Sequence, residues 1–243
     1  MDDEDRVRGA ALGQQEFRAR VALLGCLMAC GAFPVVMLVA RSTVSRQISY
    51  GFLVWNLFLA GVPVLLALVV DAAWRHDRRV LGAVSWVAWL FMFPNSPYLM
   101  TDLIHLREQP PTPLWYDALI LGTAGIAGLL AGFVSLHLVQ AAVTRRVGAT
   151  WGWVMAVVVL GLSGFGVYVG RFARFNSWDV LARPRRLLYD VGSDVAAGDT
   201  PRAAVVTALL ASFLIVSYVT IEMLTQVGRY ADAPGESDRA RGT

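Results

Sequence analysis

The sequence predicts an all-α integral membrane protein with about six transmembrane helices in one bundle. Three observations predict it. Of 243 residues, 56% are hydrophobic and only 16% are charged, where a soluble domain carries about 25% charged residues. The mean hydropathy is +0.55. The apolar residues lie in long blocks rather than at the spacing of a soluble core. A block of about 20 residues, rising 1.5 Å per residue in a helix, matches a hydrocarbon layer of roughly 30 Å. This excludes a disordered chain and argues against a water-soluble enzyme. Six such blocks leave no loop of the ~50 residues that a separate domain needs.

Residues 1–16 read as a polar cytoplasmic tail, with Asp2, Asp3, Glu4, Asp5 and Glu16 set among arginines and no sustained periodicity past Gly9 and Gly13. The first apolar block, 21–40, is too long for the h-region of a signal peptide and follows an acidic segment, so it is expected to remain as an anchor. Cys26 and Cys30 fall inside it, four apart on one face. With no histidine nearby they read as small packed side chains rather than as a zinc site. Further spans are 51–70, 80–100, 114–138, 151–170 and 203–227, each bounded by charge or by Pro and Gly. The membrane domain therefore covers 17–227, and 228–243 reads as a polar, disordered cytoplasmic tail. Between the fifth and sixth spans, Leu181, Leu187, Leu188 and Val191 alternate with Arg183, Arg185, Arg186 and Asp190. They suggest a short interfacial helix broken by Pro184, with a solvated connection as the alternative.

All 21 basic residues are arginine, against 18 acids, for a formal charge of +3. They are scattered rather than gathered into a stripe, which gives no footprint for a nucleic acid; their use is orientation in the bilayer. Six spans put both termini on one side. Of the short connections, one side holds Arg75, Arg78, Arg79, Arg145 and Arg146, and the other holds Arg41, Arg46 and Arg107. The positive-inside rule then makes both termini cytoplasmic in a multi-pass plasma-membrane protein. Trp55, Trp74, Trp115, Trp151, Trp153 and Trp178 fall near span ends, where an indole sits at headgroup level. Gly122, Gly125, Gly128 and Gly132, then Gly161, Gly164 and Gly166, form small-residue stripes that let helices approach closely. Gly128-x-x-x-Gly132 fits a dimer pattern, so a homo-oligomer is the alternative to the expected packing within one chain.

Polar residues inside or beside a bilayer are costly unless paired or hydrated, so their position marks a working surface. The third span ends in Pro94-Asn95-Ser96-Pro97-Tyr98, then Thr101, Asp102 and His105, with Asp117 opening the fourth span. Pro94 and Pro97 predict a kinked or unwound helix around Asn95. The fifth span ends in Arg171, Arg174, Asn176, Trp178 and Asp179. In any six-span chain both stretches lie on one side, together with Asn56. The candidate ligand-binding face is therefore Asn56, Asn95, Asp102, His105, Asp117, Arg171, Arg174, Asn176 and Asp179. Glu222, within the sixth span, is accounted for by snorkelling or by pairing with Arg229.

The motifs Phe93-Pro94-Asn95-Ser96-Pro97-Tyr98, Thr101-Asp102-Leu103, His105-Leu106, Trp115-Tyr116-Asp117 and Gly170-Arg171-Phe172, with Arg174-Phe175-Asn176-Ser177-Trp178-Asp179, are distinctive together. They resemble the bacterial integral-membrane family called domain of unknown function 1361, over roughly residues 50–225. The resemblance implies several membrane spans and no established activity, cofactor or catalytic residue.

Several readings of the polar face stay open. Arg171 and Arg174 could clamp span ends by pairing with Asp102, Asp117 or Asp179, since a guanidinium fork satisfies a carboxylate with two bonds. They could instead hold an anionic lipid or isoprenoid phosphate while the asparagines orient it, in a cell-envelope role. A third reading is catalysis, with His105 as general base oriented by Asp102, or Asp102, His105 and Asp117 as a metal triad. Small-solute transport is a fourth, although the Pro-Asn-Ser-Pro break lies at a span end rather than at the midplane. No Gly-x-Ser-x-Gly, His-Glu-x-x-His or phosphate-binding Gly-Lys pattern is present.

Overall fold

The computed structural model describes residues 3–47, 49–171 and 200–231, which form helices and their connections and no β-strand. In chain order these are α1 (Asp3–Ser45), α2 (Phe52–Arg75), α3 (Arg79–Met92), α4 (Asn95–Tyr98), a 3₁₀ helix (Leu99–His105), α5 (Leu114–Val147), α6 (Ala149–Arg171) and α7 (Thr200–Ala231). Among the described residues, stretches of α1, α2, α5, α6 and α7 are long and apolar enough to cross a membrane, as expected of a multi-pass membrane protein.

Two elements depart from expectation. Residues 3–16, within the expected polar tail, are the start of α1. They are rich in Ala, Gln, Glu and Arg, all good helix formers, and Glu4 precedes Arg8 at the favourable i, i+4 spacing. The third apolar block, expected as one span over 80–100, is a helix of 14 residues, about 21 Å long and short of a bilayer crossing on its own. It stops because Pro94 has no N–H to continue the ladder. Phe93 N still donates to Trp89 O at 2.8 Å. Beyond it the chain proceeds as one helical turn and then the 3₁₀ helix.

α1 and α2 run in opposite directions, and α2 and α5 run in the same direction, with the broken third block returning the chain between them. Arg20 of α1, Arg75 of α2 and Arg145 of α5 meet on Asp71 at one end of the bundle, and Arg41 of α1 meets Asp117 of α5 at the other. We call these the Asp71 end and the Asp117 end. On α6 and α7, Gly164 lies against Thr207 and Ala211, while Trp153 lies against Tyr218, so these two helices are antiparallel. α5 is the spine, touching α1, α2, α4, the 3₁₀ helix and α6.

Two buried clusters flank that spine. One joins Trp89, Phe93, Phe133, Leu136, Leu160 and Tyr218. The other joins Leu53, Leu99, Ile120, Leu121 and Ala124, near the Asp117 end. Lipid tails are as apolar as leucine, so close packing and interhelical hydrogen bonds hold such helices together more than apolar burial does. The glycine stripe of α5 serves that packing within the chain. A Cβ on Gly128 would lie 2.5 Å from the carbonyl oxygen of Ser96, and one on Gly132 would lie 3.0 Å from Ser96 Cβ. The Ser96 hydroxyl donates to Ala60 O at 2.9 Å, tying the broken segment to α2. Gly166 of α6 likewise faces Pro94, whose Cβ and Cγ would lie 3.0 Å from an added Cβ. The proline break of the third block and the last part of α6 are thus in contact.

Candidate functional site

Two polar nodes form at the Asp117 end. The first draws on four separate parts of the chain. Arg41, in the last turns of α1, sends Nε to Asp117 Oδ1 at 2.6 Å and Nη2 to Oδ2 at 3.0 Å. Both side chains are buried, 1% and 0% exposed. Tyr50 donates its hydroxyl to Asp117 Oδ2 at 3.4 Å, and Gln109 Nε2 donates to the Tyr50 oxygen at 3.1 Å. Gln109 Oε1 closes the ring by accepting from Arg41 Nη2 at 3.3 Å. The guanidinium also lies 5.3 Å from the centre of the Tyr50 ring, within cation–π range. Every member of this circuit, buried except for the half-buried Gln109, donates or accepts within it, the condition under which a polar network rigidifies a core rather than weakening it.

Tyr50 is held at φ 59°, in the left-handed region that costs an L-residue of this size roughly 1–2 kcal/mol. The bonds to Asp117 and Gln109 and the burial of the ring offset that cost. Burial pushes the Tyr50 phenol above its ordinary range, and the neighbouring Asp117 carboxylate adds to the shift.

The second node lies one helix away. Asp102, in the 3₁₀ helix and 1% exposed, accepts at Oδ2 from Asn56 Nδ2 of α2 at 2.9 Å. His105 Nδ1 lies 3.2 Å from the Asp102 carbonyl oxygen and 3.9 Å from Oδ1. A carbonyl only accepts, so in the neutral ring that contact puts the proton on Nδ1 and the lone pair on Nε2. The His105 ring packs beside Phe52, with centres 5.0 Å apart.

The two nodes share a recess of about 450 Å³, lined by Tyr50, Phe52, Ile104, His105, Arg107 and Gln109 among others. Its lining mixes polar groups, among them the exposed cation Arg107, with the apolar side chains of Phe52 and Ile104. Tyr50 and Gln109 of the circuit form part of its lining.

The candidate residues of the sequence distribute as follows. Asn56, Asp102 and His105 come together, and Asp117 sits at the same end in the other node. Asn95 is used at the helix break, where Nδ2 donates to Met92 O at 2.9 Å and satisfies a carbonyl that the end of α3 leaves open. Arg171 ends α6. Its side chain, together with Arg174, Asn176, Asp179 and the segment in which an interfacial helix is expected, lies outside the described residues. Asp117, one of the partners open to Arg171 and Arg174 in the clamp reading, pairs with Arg41. Among the described residues no three His, Cys, Asp or Glu side chains converge as they would to hold a metal.

Sequence reasoning uses Arg41 only as an orienting charge and passes over Tyr50, Asp71, Gln109 and His137. The available signal is a lone charged residue in the last turns of an apolar helix, which Arg41 and Asp71 both show. Asp71, 1% exposed, accepts from Arg20 at 2.8 Å and from Arg75 at 3.1 Å, and is also paired with Arg145. Glu222 meets His137 of α5, Oε1 to Nδ1 2.5 Å, while the side chain of its expected partner Arg229 lies outside the described residues. Near them the Tyr218 hydroxyl donates to Gln140 Oε1 at 2.5 Å.

Among curated proteins and among solved structures nothing matches this chain. A family model described as protein of unknown function (DUF1361) matches residues 55–218. That interval takes in most of α2, α3 to α6 and most of α7, both polar nodes apart from Arg41 and Tyr50, and the motifs on which the resemblance rests; the chain belongs to this family.

Proposed function

We propose that the Asp117 end is a recognition site for an anionic or lipid-linked ligand, on the extracytoplasmic face of a six-span plasma-membrane protein with a role in the cell envelope. The observation that carries this reading is the recess itself, whose lining combines the polar groups of His105, Gln109 and the exposed Arg107 with the apolar side chains of Phe52 and Ile104. An amphiphile whose phosphate or carboxylate joins a hydrocarbon chain needs both kinds of lining. The circuit with Arg41 and Asp117 holds Tyr50 and Gln109 in place before the ligand arrives, which limits the ordering cost of binding. In the six-span reading, α3 with the following turns completes the third crossing. The arginine bias of the short connections then puts the Asp117 end outside, where Arg171, Arg174, Asn176 and Asp179 would add to the same face.

Native mass spectrometry of the protein purified from its own membranes tests the reading. The expected result is a co-purifying phospholipid or isoprenoid phosphate whose occupancy falls in Arg107→Ala and in His105→Ala. A ligand-free spectrum, or occupancy unchanged in both variants, overturns it. Single cysteines at Gln109, Gly148 and Gly192 on a Cys26→Ser/Cys30→Ser background test sidedness with an impermeant thiol reagent. Gln109 and Gly192 should label from outside and Gly148 should not.

A second reading, acid–base catalysis, is favoured by one observation: the ring of His105 lines the recess with the buried Asp102 behind it. In that reading His105→Asn abolishes turnover of a bound ligand without reducing its occupancy.

A further inference from the structure

At the Asp71 end, on the opposite face from the recess, α2, α3, α5 and α6 leave an apolar groove of about 510 Å³ walled by Trp74, Ala83, Trp86, Val147, Trp151 and Met155. Ala83, Val147 and Trp151 are exposed, so the groove opens on the outer surface of the bundle. Two of its indoles, Trp74 at the end of α2 and Trp151 at the start of α6, fit the level where hydrocarbon meets headgroups. Gly82 has no side chain where the Trp74 indole lies. Trp74 therefore lies against the backbone of α3 and forms one side of the groove.

A cation stands directly over this wall. The Arg146 guanidinium lies 5.2 Å from the centre of the Trp74 ring, and Nη2 donates to Trp74 O at 3.1 Å. Asp77 Oδ1 is 3.4 Å away. The stretches 71–79 and 145–148, which supply the lining residues Trp74 and Val147, carry Arg75, Arg78, Arg79, Arg145 and Arg146 against Asp71 and Asp77. Positive charge thus exceeds negative charge in these two stretches. An apolar trough in the bilayer surface with arginine at its mouth is complementary to a hydrocarbon chain ending in a phosphate diester. The planar guanidinium fork suits phosphate, and basic pockets between membrane helices hold anionic headgroups.

We propose that this groove binds an anionic glycerophospholipid, with one acyl chain along Trp74, Trp86 and Trp151 and the phosphate at Arg146. The site is independent of the recess at the Asp117 end and needs no assignment of which end is cytoplasmic.

The test is native mass spectrometry of the full chain in detergent. Phosphatidylglycerol and phosphatidylcholine of identical acyl chains are added separately, and inorganic phosphate is added as a competitor. The wild-type chain should retain phosphatidylglycerol in preference to phosphatidylcholine. Arg146→Ala should weaken that retention about fivefold, and Arg146→Lys should restore part of it. Ala83→Trp fills the groove without touching a charge and should remove retention; Val147→Phe is the second filling variant if Ala83→Trp does not fold. In an Arg107→Ala/His105→Ala background, which removes the recess contacts, the preference for phosphatidylglycerol should persist and should still fall on adding Arg146→Ala. Equal retention of both lipids, or retention unchanged in Arg146→Ala and in both filling variants, overturns the proposal. Displacement by inorganic phosphate with no effect of groove filling overturns the acyl-chain assignment and leaves a simple phosphate site.

Discussion

Replacing Asp117 by asparagine keeps the side-chain volume and removes only the charge, so it isolates the Arg41–Asp117 pair. The carboxylate now accepts two bonds from Arg41, at 2.6 and 3.0 Å, and both side chains are essentially inaccessible, 1% and 0% exposed. In the variant an amide N–H would face a guanidinium N–H, and the buried cation would lose its counter-charge. Breaking one partner of such a pair costs about 3–5 kcal/mol, whereas an exposed pair is worth about 0–1 kcal/mol. The two cases are therefore well separated. Unfolding of the detergent-solubilised protein, followed by loss of helix signal, should show Asp117→Asn and Arg41→Met each destabilised in the larger range. The double variant Arg41→Met/Asp117→Leu removes both charges and should recover to within about 1–2 kcal/mol of the wild type, a coupling that only contacting groups show. Single-variant losses below about 1 kcal/mol, or strictly additive losses in the double variant, would refute the buried-pair argument.

Three further predictions follow from particular contacts. The Tyr50 phenol is raised above its ordinary value, so folding favours the protonated form. Its contribution is fully present below the unfolded value of about 10 and is lost as pH rises through the higher folded value. Phenolate absorbance of the wild type minus Tyr50→Phe should therefore rise only above the range in which exposed tyrosines titrate, and titration within that range would contradict the buried circuit. In Gly128→Ala, the new Cβ meets the Ser96 carbonyl at 2.5 Å, and backbone must move. The expected loss is about 1–3 kcal/mol in thermal unfolding, and a neutral result would mean that α4 does not dock there. Glu222→Ala deprives His137 of the carboxylate 2.5 Å away and should cost about 1–3 kcal/mol. Unfolding indistinguishable from the wild type would show that the pair contributes nothing.

Part of the candidate site can be read from the chain alone. Pro94 and Pro97 mark the break of the third block because a missing N–H is a local fact. Asp102 and His105 are recognisable neighbours because they are three residues apart. Asn56, Asp102, His105 and Asp117 share one end of the bundle, as alternation of span direction requires. The Arg41–Asp117–Tyr50–Gln109 circuit is not legible in this way. Its central pair is 76 positions apart, and Tyr50 takes part through a left-handed backbone that no residue preference announces.

By itself, the sequence determined that this chain is a helical membrane protein, where its apolar blocks lie and where the third must break. Those features follow from hydrogen bonds and hydrophobic lengths that are local to each segment. The tertiary structure alone decided which charges meet: Arg41 with Asp117, three arginines with Asp71, and His137 with Glu222. The physical reason is that such a pairing depends on the depth and rotation of one helix against another. Contacts such as Gly128 on Ser96 and Gly166 on Pro94 set both, and no periodicity along the chain encodes them.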